Sequence, residues 1–159
     1  MIYKSKLQNI YRPDWIVDNI RKSNKLWLDK NENADEILLK QTKKMLKNID
    51  KNIIFSYPSL APIYKKLARS LKISPKKILL SAGSDAGIKT IFETFVNEKD
   101  KVLRTNPTFA MYEIYSKIFN TKEIIIDYKK TNDGPKLELK KILNIITKSK
   151  PKLICLPNS

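Results

Sequence analysis

The stretch Lys77-Ile78-Leu79-Leu80-Ser81-Ala82-Gly83-Ser84-Asp85-Ala86-Gly87-Ile88-Lys89-Thr90-Ile91-Phe92-Glu93-Thr94-Phe95 decides how the chain is read. Ile78 to Leu80 form a short apolar run with strand character, and Ile88, Ile91, Phe92 and Phe95 recur at the spacing of one helix face. Between them, Ser81 to Asp85 are small or polar residues that suit a tight turn. The pattern is strand, turn, helix. A helix start leaves its first amide groups without intrahelical acceptors, and the helix dipole concentrates partial positive charge there. Gly83, Ser84 and Asp85 therefore offer a phosphate their backbone N–H groups, the Ser84 hydroxyl and, at Gly83, a close approach to the backbone. The competing reading is that Ser84 or Asp85 merely caps the helix.

Towards the N-terminus the pattern is irregular. Arg12-Pro13-Asp14-Trp15 starts a short helix with proline near its first turn, and Leu26-Trp27-Leu28 reads as a brief strand. A helix is expected from about Ala34 to Asn48, with Ile37, Leu38, Met45 and Leu46 on its apolar side. Phe55-Ser56-Tyr57-Pro58-Ser59 reads as a loop, since residues before proline avoid the helical region, and a helix from about Ala61 to Leu71 follows. From Lys77 onward the chain alternates: strand 77–81, helix 85–96, strand 101–105, helix 108–119, strand 122–127, helix 137–147, strand 152–156. Such alternation predicts an α/β fold, a mostly parallel sheet with helices on both faces. It also divides the chain into an N-terminal arm and small-domain segment, 1–50, and a larger α/β part, 51–159. Ligands of such sheets sit at the carboxyl ends of the strands. That edge is expected to carry Gly83-Ser84-Asp85, Thr105-Asn106-Pro107-Thr108-Phe109 and Pro157-Asn158-Ser159.

Composition narrows the function classes. The 159 residues are 42% hydrophobic, enough for a core, and no apolar run approaches the roughly 18 residues needed to span a bilayer. The start, Met1-Ile2-Tyr3-Lys4-Ser5-Lys6, lacks the apolar segment of a secretory signal, so a cytoplasmic protein without a membrane partner is expected. The single cysteine, Cys155, cannot form an internal disulfide, and its apolar surroundings suggest a buried small hydrophobe. The sequence contains no histidine, which excludes Ser–His and Cys–His nucleophile pairs and histidine-ligated zinc within these residues. The net charge of +16 would suit a nucleic-acid partner, but only Arg12, Arg21, Arg69 and Arg104 are arginines and the lysines are spread along the helices. Solvated lysine faces, with no nucleic-acid partner, are the expected outcome.

Several segments carry a resemblance in the right order. Tyr57-Pro58, Ala82-Gly83-Ser84-Asp85, Asn106-Pro107-Thr108-Phe109-Ala110-Met111-Tyr112-Glu113 and Leu156-Pro157-Asn158-Ser159 resemble the motifs of the pyridoxal-phosphate-dependent class I/II aminotransferases. The chain looks most like the histidinol-phosphate aminotransferase branch, to which Leu28-Asp29-Lys30-Asn31-Glu32-Asn33 is similar, although Ala34-Asp35-Glu36 replaces the usual proline and glycine there. The likeness runs from about residue 26 to the end and corresponds to the N-terminal part of the fold type I large domain.

This resemblance implies pyridoxal 5'-phosphate as cofactor and an amino donor and a 2-oxo acid as small-molecule substrates. Gly83, Ser84 and Asp85 match the turn that binds the cofactor phosphate, and Phe109 matches the aromatic that stacks on the pyridine ring. Tyr57 matches a tyrosine that reaches the phosphate of the other subunit's cofactor, which implies a homodimer. Asn158 and Ser159 fall in the turn whose asparagine bonds the cofactor's ring hydroxyl, with Ser159 aligned at that asparagine. The aspartate that pairs with the pyridinium nitrogen, the Schiff-base lysine and the carboxylate-binding arginine have no matching position among the 159 residues, so no catalytic residue is assigned and these residues alone are expected to be inactive. In the family, strands made later in the chain separate the strand at 77–81 from its neighbours, so a gap or open edges are expected in this sheet. Two other classes remain in view. One is a basic nucleic-acid-binding module, which would show steep salt dependence. The other is a non-catalytic α/β protein that keeps only a phosphate-ligand site.

Overall fold

The computed structural model describes residues 35–157. The helix expected from Arg12, the strand at Leu26-Trp27-Leu28, the Asn31-Glu32-Asn33 segment and the candidate residues Asn158 and Ser159 lie outside the described residues. Those that are described fall into two compact units, 35–79 and 80–157.

The first unit is helical. Asp35 caps α1 (Glu36–Lys47), its carboxylate accepting the Ile37 N–H at 2.7 Å, and Asp50 caps α2 (Lys51–Phe55) by accepting from Asn52. A proline in its first turn starts α3 (Ala61–Leu71). The left-handed Lys72 (φ 53°) ends it, with the Ile73 N–H returning to the Ala68 carbonyl. Ala68 is the one buried residue of these three helices. The helices at 34–48 and 61–71 thus form as expected, whereas α2 was not foreseen.

The second unit carries the sheet. In chain order it comprises α4 (Gly83–Phe95), β1 (Lys101–Asn106), α5 (Ala110–Ile118), β2 (Lys122–Asp127), a hairpin of β3 (Lys129–Thr131) and β4 (Gly134–Lys136), α6 (Leu139–Ser149) and β5 (Leu153–Cys155). Three strands make a parallel sheet in the order β2-β1-β5, with Leu103 opposite Ile124 on one side and Ile154 on the other. Alternate residues of β1 face opposite ways. Val102 joins Cys155, Phe92 and Val96, and Tyr115 in one cluster, under α4 and α5; Leu103 joins Ile126 and Ile142 in the other, under α6. Helices on both faces of a parallel sheet are what the alternation predicts. No helix among the described residues is long and apolar enough to cross a membrane.

The expected strand at 77–81 is a correction. A 3-10 turn takes Pro75–Lys77, and among the described residues the sheet's ladders run between β1, β2 and β5. A strand is held by its neighbours' ladder bonds rather than by its own apolar content, and here no ladder extends to this segment. The small hairpin is the opposite case: Asn132-Asp133-Gly134 turns the chain, with Gly134 at φ 104°, where a side chain would be strained.

Candidate functional site

Chain direction places the candidate residues. A short connection after β1 leads into α5, so α5 begins at the carboxyl end of β1; α4 ends just before β1 begins, so its own first turn returns to that same edge. The Tyr115 hydroxyl, from the middle of α5, reaches the Asp85 carbonyl in the first turn of α4 at 3.5 Å, which links the two helices.

The start of α4 is built without a side-chain cap. Its N-cap residue is Ala82, and neither Ser84 nor Asp85 serves as one; both sit within the first turn. The turn is closed locally, by the Gly83 N–H donating to the Ser81 carbonyl and the Ser81 hydroxyl donating to the Gly83 carbonyl, both at 2.9 Å. Gly83 has φ 77°, a conformation that disfavours any side chain, and the direction a Cβ would take is open, with nothing within 4 Å. One turn on, a Cβ at Gly87 would meet the Ser81 hydroxyl at 3.1 Å, so this glycine lets the helix lie against its own leading turn. Ser84 is exposed, while Asp85 is half-buried. The result is a positively polarised helix end with an open backbone approach, where α1 and α2 have theirs filled by carboxylates.

Beside it, the β1–α5 connection presents Phe109. Thr105 donates to the Pro107 carbonyl at 3.0 Å across a cis Asn106-Pro107 bond, and Phe109 becomes the N-cap residue of α5. Its ring is 42% exposed, too open for a core aromatic, and meets Tyr112 edge-on at 6.0 Å between centroids. The Asn106 amide donates to the Asp127 carboxylate at 2.8 Å and so joins the carboxyl ends of β1 and β2. Tyr57 belongs to the 35–79 unit, fully exposed in the stretch after α2.

Under this edge lies a charged group that sequence reasoning missed. Arg104 is buried in the middle of β1, with Nε 2.5 Å from the Glu123 carboxylate and a second terminal nitrogen 3.7 Å from Glu113. Lys117 bonds Glu113 at 2.5 Å. That bond first, helped by the Lys117 and Arg104 charges, holds the Glu113 carboxyl below its usual range despite partial burial. Cys155, opposite Arg104 in the ladder, is buried, and desolvation pushes its thiol up to about 11 even with the guanidinium nearby. Burial, with a smaller contribution from Cys155, also raises the Tyr112 phenol. An arginine inside an apolar strand of sequence is the signal that could have marked this cluster, because a buried guanidinium requires acidic partners.

The geometry can be set beside known proteins. The family model for aminotransferase class I and II matches residues 23–159. The chain belongs to this family. It is 34% identical over 137 residues to a histidinol-phosphate aminotransferase of Caldanaerobacter subterraneus, covering 83% of this chain and 38% of the relative. Against the histidinol-phosphate aminotransferase of Methanocaldococcus jannaschii the identity is 35% over 134 residues, covering 83% of this chain and 36% of the relative. The chain therefore spans less than two fifths of the length of the curated relatives it matches. Among solved structures, the histidinol-phosphate aminotransferase of Sinorhizobium meliloti, in complex with pyridoxal-5'-phosphate, superposes with a TM-score of 0.57 at 17% identity, covering 74% of this chain and 30% of that one. At that identity the superposition speaks for the fold. As an aminotransferase family member, the chain has the expected α/β architecture of its part of the large domain.

Proposed function

We propose that this chain supplies the cofactor-phosphate cradle and the ring-stacking aromatic of a pyridoxal 5'-phosphate-dependent aminotransferase that acts on histidinol phosphate and a 2-oxo acid in histidine biosynthesis. The observation that carries this reading is the start of α4: an uncapped helix end whose leading glycine, at φ 77°, has an open Cβ direction. A phosphate fits there, because the N-cap residue Ala82 has no side chain to bond the first-turn amides and the helix dipole stabilises an anion. The exposed face of Phe109 fits a flat pyridine ring, and the neighbouring Thr108 hydroxyl is buried without a hydrogen-bond partner among the described residues.

Bound there, the cofactor would supply an electron sink for bond changes at the substrate's amino-bearing carbon. The chain's own residues do three things. Ser84 and Asp85 anchor the phosphate by their backbone amides and the Ser84 hydroxyl, while Gly83, whose own N–H is held by the Ser81 carbonyl, leaves the approach to the backbone open. Phe109 restrains the ring and excludes water from one face. Tyr115, from the middle of α5, supports the first turn of α4 through the Asp85 carbonyl. Tyr57 is assigned to the phosphate of a partner subunit's cofactor in a homodimer, and Asn158 and Ser159 to the ring hydroxyl. Residues 1–50 form the arm and 51–159 the cofactor-binding part, in a cytoplasmic enzyme. No residue among the 159 matches the family's Schiff-base lysine, so these residues by themselves bind the cofactor without turnover.

Histidinol phosphate is favoured over other amino donors by the two relatives above, both named for it. The test is amino-group transfer by the protein in its natural full length, loaded with pyridoxal phosphate and given 2-oxoglutarate with histidinol phosphate, aspartate or an aromatic amino acid. We expect histidinol phosphate to give a kcat/KM at least 10-fold above the others. Faster transfer from any other donor contradicts the substrate assignment, and no transfer from any donor contradicts the aminotransferase reading.

A further inference from the structure

The opposite edge of the same sheet carries a second feature, one that owes nothing to the aminotransferase reading. At the amino ends of β1 and β5 an open cleft of about 730 Å³ is lined by Lys99, Lys101, Lys148, Lys150 and Lys152, with Asp100 as its one acidic member. The sequence spreads these lysines over more than fifty positions, and the fold gathers them. Lys99 precedes β1 and Lys101 opens it, Lys148 lies in the last turn of α6 and Lys150 follows as its C-cap, and Lys152 leads into β5. The walls are fixed to one another: the Lys152 N–H donates to the Lys101 carbonyl at 2.8 Å, and the Lys101 ammonium donates to the Ser149 carbonyl at 3.0 Å.

Lysines without an ion pair are common among the described residues, but these five converge on one cleft. Lys89, Lys117, Lys129 and Lys136 each face a carboxylate, whereas none of the five in the cleft enters an ion pair among the described residues. Asp100 turns its carboxylate to its own loop, accepting the Asn97 N–H at 2.8 Å. The carbonyl end of α6 offers about half a negative charge, which offsets one ammonium in part and leaves the rest uncompensated. Such a local surplus of positive charge attracts anions. The lining has no arginine for forked recognition and no aromatic ring for base stacking, so it can read only closely spaced point charges. Its volume lies in the range of small-molecule sites.

We propose that this cleft binds a linear polyphosphate anion of three or more phosphates, held through the phosphate chain alone. The experiment is calorimetric titration of the purified protein with tripolyphosphate, pyrophosphate and ATP at 0.15 M salt, with pyridoxal phosphate present to occupy the other edge. Two triple variants of equal net charge are compared: Lys148→Gln/Lys150→Gln/Lys152→Gln in the cleft, and Lys40→Gln/Lys43→Gln/Lys44→Gln on exposed α1. Tripolyphosphate should bind at least 10-fold tighter than pyrophosphate and as well as ATP. The cleft variant should lose at least 10-fold in affinity and most of the salt dependence, and the α1 variant less than 2-fold. Equal losses in both variants would mean that net charge alone attracts the anion, and ATP binding without tripolyphosphate binding would mean that a nucleoside is read; either result overturns the proposal. Should the cleft triple lose its thermal transition, Lys152→Gln alone must weaken tripolyphosphate at least 3-fold with the transition intact, and unchanged binding overturns the proposal equally.

Discussion

The two compact units use the same local rules and reach different ends. In residues 35–79 the caps, the proline at a helix start and the left-handed terminator are all in place, yet Ala68 is the one buried residue of three helices, and Met45, Ile54 and Phe55 are 71%, 67% and 87% exposed. In residues 80–157 all three helices lack side-chain caps, but Phe92, Val102 and Leu103 are fully buried in two clusters that clasp the sheet. Capping decides where a helix starts, whereas burial supplies the free energy that keeps it. The candidate site lies in the unit with the core, as a site that must hold its geometry requires.

The sharpest way to break this contrast is a pair of truncations. Phe92→Ala removes a fully buried ring that touches Tyr115 and Phe119, and should cost about 3–5 kcal/mol in urea unfolding. Met45→Ala, on an exposed helix face, should stay within about 0.5 kcal/mol. Equal costs would show that the two units are packed alike. The next largest effect is expected at Arg104. Arg104→Met leaves the Glu123 carboxylate partly buried without its partner and should cost about 3 kcal/mol, while adding Glu123→Leu should recover much of the loss. No recovery in that double-mutant cycle would mean that the arginine acts by packing and not by charge.

The smallest effect is a pH dependence at Glu113. Its carboxyl is held low in the fold, so the stability it contributes is present above the unfolded value near 4.3 and is lost as pH falls through the lower folded value. Because the side chain is 41% exposed, solvent screening keeps the contribution under about 1 kcal/mol. The stability gap between the protein and Glu113→Gln, followed by unfolding from pH 6 to pH 3, should therefore narrow towards acid. A gap that widens would contradict the assigned direction.

Much of this was legible in the chain. The periodicity of Ile88, Ile91, Phe92 and Phe95 and the alternation after Lys101 give the helices and the three sheet strands within a few residues, although of that helix face only Phe92 is fully buried while Ile91 and Phe95 remain exposed. The strand at 77–81 failed because apolar content says nothing about whether a neighbour is there to pair with. The hairpin after β2 was missed although Asn132-Asp133-Gly134 is a turn signal, since its strands are only three residues each and wholly polar on most positions. Gly83-Ser84-Asp85 was legible as a helix start, but the choice between cap and open anion site was not. That choice rests on φ at Gly83 and on Ala82 standing at the N-cap, and neither angle nor position can be read from residue types alone. Arg104 shows the same limit in another form: the sequence names the arginine, and only the register of β1 with β2 and the start of α5 reveals its two acids.

The central claim is that the start of α4 is a phosphate cradle, and its most direct test compares the binding of pyridoxal 5'-phosphate with that of pyridoxal by fluorescence titration, in the protein and in Gly83→Val. The account predicts that the phosphate ester binds at least 10-fold tighter than pyridoxal, and that Gly83→Val, folded by circular dichroism, abolishes this difference while leaving pyridoxal binding within 2-fold. A preference for the phosphate ester that survives in Gly83→Val would contradict it, and so would equal binding of the two compounds by the unaltered protein.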